Sequence, residues 1–250
     1  MRRAALLPLL LVLTALACNT FFPPRPEVAW DPDPAVVVIE LATLGGLLPP
    51  TYMDSYIPAA RVWGDGRIIW TTFDAPGGRR VLAGQLTAAE LQALLQRFVD
   101  AGFFGWQAFY QPPYQIYDGG TTILTVQLLT ESRKVAEYMD GAPAQFDGLV
   151  QVLAEGAGAA GGDFVPERGY LRAYRQTGNS APPEAVWPDE RLGFTLAEAE
   201  TAGRYIEGAA LQFAWAALNR SQFGLIASGG QAFQITLQVP GVTYQEPPAP

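Results

Sequence analysis

Apolar residues change their period several times along the chain, and each change marks an element. Ala4 to Leu16 is an almost unbroken apolar stretch of 13 residues behind Met1-Arg2-Arg3. That is the length of a secretory-signal core and falls short of the ~20 residues of a membrane span. From Asn19 to Pro34 the pattern lapses, with five prolines in 16 residues. Proline fixes φ and favours extended polyproline II, so this segment is expected to be a semi-rigid spacer reaching up to ~50 Å at ~3.1 Å per residue. Of its apolar residues, Phe21 and Phe22 suit a membrane interface and Trp30 suits packing on the body.

Beyond the spacer the periods become those of a folded domain. Val36 to Leu41 is short and β-branched and reads as a strand. Ala59 to Trp63 and Arg67 to Phe73 flank Gly64-Asp65-Gly66, and an Asp-Gly pair supplies the positive φ values of a tight hairpin. Arg79 to Leu82 reads as a third strand beside them. Thr87-Ala88-Ala89-Glu90 is a capping box, and Leu91, Leu94, Leu95, Phe98 and Val99 then mark one buried face of a helix. Gly102 ends that helix, and Phe103, Phe104 and Trp106 are expected to plug the core beneath it. Thr121 to Leu129 and Arg133 to Tyr138 form a second hairpin. Pro143 to Ala154 forms a second helix, with Phe146, Leu149, Val150 and Leu153 on one side.

Gly156 to Gly162 contains only Gly and Ala, a composition that packs no core and reads as a linker. A smaller unit follows. Its expected parts are a strand over Tyr170 to Arg175, a long loop over Thr177 to Pro188 and a short helix opened by the capping box Thr195-Leu196-Ala197-Glu198. Then come a strand at Arg204 to Glu207, a helix over Ala209 to Asn219 and a last hairpin across Gly229-Gly230. The predicted division is a signal peptide (1–17), a tether (18–35), a domain (36–155), a linker (156–163), a smaller unit (164–244) and a disordered tail (245–250). The fold class is α+β: antiparallel hairpins packed against amphipathic helices, in two units.

Composition narrows the chemistry. The chain of 250 residues has no histidine, one cysteine (Cys18), and 16 Lys plus Arg against 24 Asp plus Glu. His-assisted Ser or Cys hydrolysis and zinc sites of the His or multi-Cys kind are thereby excluded. Lys134, the sole lysine, stands in Ser132-Arg133-Lys134-Val135 without the glycines of a phosphate-binding loop. The acidic balance argues against nucleic acid as a partner. No cofactor or metal is expected, and no spaced set of acidic residues forms a calcium loop.

The position of the single cysteine is informative. Ala15-Leu16-Ala17 precedes Cys18 directly behind the apolar stretch, an arrangement that resembles the lipobox of bacterial lipoproteins. The resemblance implies cleavage between Ala17 and Cys18 and acylation of Cys18, which would hold the protein to a membrane on its extracytoplasmic face. A second resemblance covers roughly residues 56–155. Trp63 to Trp70, Gly84-Gln85-Leu86-Thr87, Glu90-Leu91, Leu94-Leu95 and Gly102-Phe103-Phe104 resemble an uncharacterised domain family of bacterial envelope lipoproteins. In that family a hairpin, a capped helix, a Phe-Phe end, a Tyr (here Tyr110) and a second hairpin follow in order. Many members carry a Cys-x-x-Cys-like start that this chain lacks, so no metal or redox role carries over.

Two kinds of residue remain as candidate chemistry. Paired carboxylates could support glycan hydrolysis without histidine, but Asp31, Asp33, Asp65, Asp118, Asp140 and Asp189-Glu190 all read as turn or loop residues. Ser132 and Lys134 share a strand face, in imitation of a Ser-Lys pair, beside a solvent-facing turn. The aromatics are the better lead. Tyr110-Gln111-Pro112-Pro113-Tyr114-Gln115-Ile116-Tyr117 places three tyrosines in a proline-held loop, where flat rings can stack on sugars or anchor a protein. The expected function is a lipid-anchored, non-enzymatic binding module of the cell envelope. Its surface includes Tyr110, Tyr114 and Tyr117, and its partner is an envelope protein or glycan. The alternatives are a carboxylate-dependent glycan-acting enzyme and a structural subunit of an envelope assembly.

Overall fold

The computed structural model describes residues 26–46, 50–75, 78–177, 182–221 and 224–249. The fold is α+β, with two sheets packed against helices. The strands of the first sheet are β1 (Val37–Gly45), β2 (Ala60–Trp63), β3 (Arg67–Ala75), β4 (Gly78–Gln85), β5 (Phe109–Tyr110), β6 (Gly120–Gln127), β7 (Ser132–Tyr138) and β8 (Gly161–Asp163). Their spatial order is β5-β7-β6-β1-β2-β3-β4-β8. The second sheet holds β9 (Arg168–Arg175), β10 (Ala185–Val186), β11 (Arg204–Glu207), β12 (Leu225–Ser228) and β13 (Gln231–Gln238), in the order β10-β12-β13-β9-β11. All pairings are antiparallel except β5 with β7 and β10 with β12. The helices are α1 (Ala88–Asp100), α2 (Gln145–Ala154), the single turn α3 (Asp189–Leu192) and α4 (Gly208–Arg220).

Local chemistry explains the strongest elements. Glu90 N–H donates to the Thr87 hydroxyl at 3.2 Å, while the Glu90 carboxylate accepts from Thr87 N–H at 2.7 Å, so the capping box closes in both directions. Leu91, Leu94, Leu95, Phe98 and Val99 are buried as their spacing requires, each contributing about 1.5–3 kcal/mol. Gly102 adopts φ 76°, and Phe103 then meets Phe98 edge to face at 5.2 Å. The Gly64-Asp65-Gly66 hairpin forms in the expected place.

The middle of the first sheet is buried on both faces. Ala60, Val62, Ile68 and Trp70 join the core under α1 and α2, whereas Trp63, Ile69 and Val81 alternate to the other face and join the core of the second sheet and α4. The two units therefore share one composite body. Arg61 reinforces the junction: it is bound to Glu40 at 2.6 Å and donates to the Gly241 carbonyl at 2.8 Å.

Several expectations need correction. The Gly/Ala segment is a 3-10 turn (Gly156–Gly158) followed by β8, hydrogen-bonded to β4. At two of its glycines the Trp70 indole occupies the space of a side chain: a Cβ on Gly161 would lie 2.1 Å from the ring, and one on Gly156 2.6 Å. The tether gives way to a bound strap at its C-terminal part, where Trp30 Nε1–H donates to the Gly64 carbonyl (2.9 Å) and Leu129 N–H to the Ala29 carbonyl (2.8 Å). The tail is held too, with Gly241 N–H on the Glu246 carboxylate and the Tyr205 hydroxyl on the Pro248 carbonyl. The loop over Thr177 to Pro188 includes β10, and Trp187 behind it is buried with its indole N–H on the Phe194 carbonyl. The capping box at Thr195 opens only a 3-10 turn, Leu196–Ala199.

Candidate functional site

The register of β1 assigns each loop to one of two ends of the first sheet. Val37 pairs with Trp63 and Ile39 with Val126, so the start of β1, the β2–β3 turn and the β6–β7 turn lie together at what is termed the near end. Gly45 pairs with Gly120, and Thr121 with Tyr138. The tyrosine loop between β5 and β6 therefore lies at the opposite, far end. At ~3.3 Å per residue, the length of β1 separates the two by roughly 26 Å.

At the far end the loop from Gln111 to Gly119 rests on the turn that follows β7. The Tyr138 hydroxyl donates to the Ile116 carbonyl (2.9 Å) and accepts from Gly119 N–H (3.1 Å). Asp118 and Met139 both sit at positive φ, 60° and 65°, a region costly for residues with a Cβ. The loop and Tyr138 enclose a groove of about 280 Å³, lined by Gln111 to Ile116 without a charged side chain.

The three tyrosines have different environments. Tyr110 lies in β5, half-buried against the first core, and its hydroxyl accepts from Gln107 N–H at 2.8 Å. Tyr114 and Tyr117 are 62% and 76% exposed. Phe109 and Met139, near them in the chain's path, are also exposed large apolar residues. Ala17 and Cys18 lie outside the described residues.

At the near end the strap from Glu27 to Val36 crosses the sheet, and beside it opens a cleft of about 650 Å³ between the two units. Trp63 and Ile69 contribute from the first sheet, and Phe164 to Arg168 and Val239 to Val242 from the second unit. The Arg67 guanidinium lies 5.1 Å from the Trp63 ring and is fixed by Asp65 at 2.7 Å. Arg168 stacks on Tyr205 at 5.2 Å. The volume is that of a small-ligand cleft. Sequence reasoning missed it, because its walls come from segments far apart in the chain and only a scatter of prolines (Pro34, Pro166, Pro240) marks them.

Of the carboxylates weighed as catalytic candidates, Asp31, Asp33, Asp65, Asp140 and Asp189 carry structural hydrogen bonds. Asp31 and Asp33 each accept a backbone N–H two residues on, Asp65 holds Arg67, and Asp140 accepts from Gly141 N–H. Asp189 accepts from the Ser228 hydroxyl (2.6 Å) and Gly229 N–H (3.0 Å). The Ser132–Lys134 pair stands at the exposed start of β7. Among the described residues no three His, Cys, Asp or Glu side chains gather as metal ligands would, and no helix is long and apolar enough to cross a membrane.

Comparison of the chain with models of protein families, with characterised proteins and with solved structures gives no match.

Proposed function

We propose that the protein is a lipid-anchored, extracytoplasmic binding module of a bacterial envelope, acting through recognition rather than catalysis. Cys18 carries the anchor and the tyrosine loop carries the recognition surface. The observation that supports this reading most directly is the opposition of the two ends. The strap that leads back to Cys18 leaves from the near end, whereas Tyr114 and Tyr117 stand at the far end. Between Cys18 and Glu27 lie eight residues, which fully extended span roughly 30 Å. An anchored body would hold its near end close to the lipid and turn the tyrosines outward. Exposed aromatic rings on a loop held by prolines suit partner binding, since they bring large contact area at low entropic cost. The uncharged groove beside them suits a neutral surface, either a glycan or an uncharged patch of an envelope protein.

The test has two arms. Replacing Cys18 by Ala should move the protein from the membrane to the soluble extracytoplasmic fraction and abolish incorporation of radiolabelled palmitate. Replacing Tyr114 and Tyr117 together by Ala should leave the protein folded and anchored but remove its crosslinked envelope partner. Retained palmitate in the first variant, or an unchanged partner in the second, would overturn the reading.

A further inference from the structure

Among the described residues two arginines are buried where the units meet, and only one of them has a counter-charge there. Arg61 faces Glu40. Arg79, at the start of β4 and 8% exposed, has neutral partners: Nε–H donates to Asn219 Oδ1 at 3.0 Å and Nη1–H to the Ser55 carbonyl at 3.4 Å. No carboxylate forms an ion pair with it among the described residues. A guanidinium has five N–H donors, and among the described residues acceptors are found for Nε–H and Nη1–H and none for Nη2. Against Arg79 lies a small cavity of about 10 Å³, walled also by Thr51, Tyr52, Ser55, Leu218, Gln234 and Ile235. The Thr51 hydroxyl is buried there without a hydrogen-bond partner. Arg79 and the residue of the orphaned hydroxyl thus line one cavity.

We propose that this cavity binds one small monovalent anion, chloride, between the Arg79 guanidinium and the Thr51 hydroxyl. The volume corresponds to about one water-sized occupant, which excludes phosphate and sulfate. Water would satisfy the donors but leave the charge uncompensated in a low-dielectric site, where a lone ion is costly. Burial draws the Arg79 pKa down to about 10, so the group is still cationic at neutral pH. The neighbouring Tyr52 phenol, whose pKa burial raises, is neutral there and supplies no compensating charge. Because Arg79 belongs to β4, Thr51 to the turn before β2, and Asn219 and Leu218 to α4, the anion would clamp the two units together.

The inference is independent of the proposed function and is tested on the purified chain. Thermal unfolding is compared in sodium chloride and sodium gluconate at about 150 mM ionic strength. The midpoint should be several degrees higher in chloride, because a ligand bound only by the native state stabilises it by mass action. Thr51→Val keeps the shape and removes the hydroxyl, and should reduce that difference by at least half; Arg79→Met should abolish it. Should Arg79→Met fail to fold, crystals grown in sodium bromide decide, since an anomalous peak beside Arg79 is expected. Equal midpoints in the two salts, a chloride effect untouched by Thr51→Val, or a crystal with water alone at the site would overturn the proposal.

Discussion

Where β1 begins, backbone is pressed against backbone. A Cβ on Gly64 would stand 1.9 Å from the Asp31 carbonyl and 2.8 Å from that of Asp33, and Trp30 pins the strap over the same turn. Where β1 ends, the tyrosine loop is held by hydrogen bonds to the Tyr138 hydroxyl and by two non-glycine residues at positive φ. The near end puts its close contacts into fixing the strap from Glu27 to Val36. The far end leaves two rings, Tyr114 and Tyr117, in solvent. Residues at the first end should govern stability and those at the second recognition, and variants can be ranked by that contrast.

The largest expected effect is at Gly64. Gly64→Ala would force the strap from the turn, because neither carbonyl can yield as a flexible side chain would, at a cost of about 3 kcal/mol. Chemical denaturation should show it as a lower midpoint with an unchanged slope. Trp30→Ala, which removes a half-buried indole and its hydrogen bond to Gly64, should cost about 2 kcal/mol by the same measurement. At the far end, Gly141 has φ 116°, and a Cβ there would lie 3.0 Å from the Gln111 carbonyl. Gly141→Ala should therefore cost about 1–2 kcal/mol and also displace the loop, weakening partner capture more than its stability loss explains. Tyr114→Ala and Tyr117→Ala should each change stability by less than about 0.5 kcal/mol, yet weaken capture at least tenfold. A stability loss at Tyr114 equal to that at Trp30 would erase the contrast.

The smallest effect belongs to neither end and serves as a baseline. In the α1 capping box, the Thr87 N–H and hydroxyl hold the Glu90 carboxyl below its ordinary value of 4.5. A lowered carboxylate contributes stability above its unfolded pKa and loses it as pH falls through the folded one. Glu90→Gln should therefore slightly flatten the fall in melting temperature below pH 4.5, and leave the melting temperature at pH 7 slightly lower.

How much of this was legible in the sequence depended on whether the decisive contact was local. The Gly64-Asp65-Gly66 hairpin and the Thr87–Glu90 box are complete within a few residues, and both form as expected. The Gly156 to Gly162 run reads as a linker because the reason for Gly156 and Gly161 lies in Trp70, far earlier in the chain, whose ring leaves no room for a side chain at either position. Trp187 reads as loop because the short strand before it, β10, pairs in parallel with β12, a partner some 40 residues on. Of the three candidate tyrosines, the sequence could not separate Tyr110 from Tyr114 and Tyr117. Their difference arises when β5 adds to the edge of β7 and draws Tyr110 onto the core. The Arg79 cavity was beyond sequence reasoning altogether, since Thr51, Arg79 and Leu218 meet only through the packing of the two units.

The most direct test of the central claim is site-specific photo-crosslinking in intact envelopes. The photoreactive residue is placed once at Leu129, which is 65% exposed in the near-end turn, and once at Tyr114. The account expects lipid adducts from position 129 and a discrete protein or glycan adduct, without lipid, from position 114. Lipid adducts from position 114, or the same adducts from both positions, would contradict the claim that one end of the sheet faces the membrane and the other presents the binding surface.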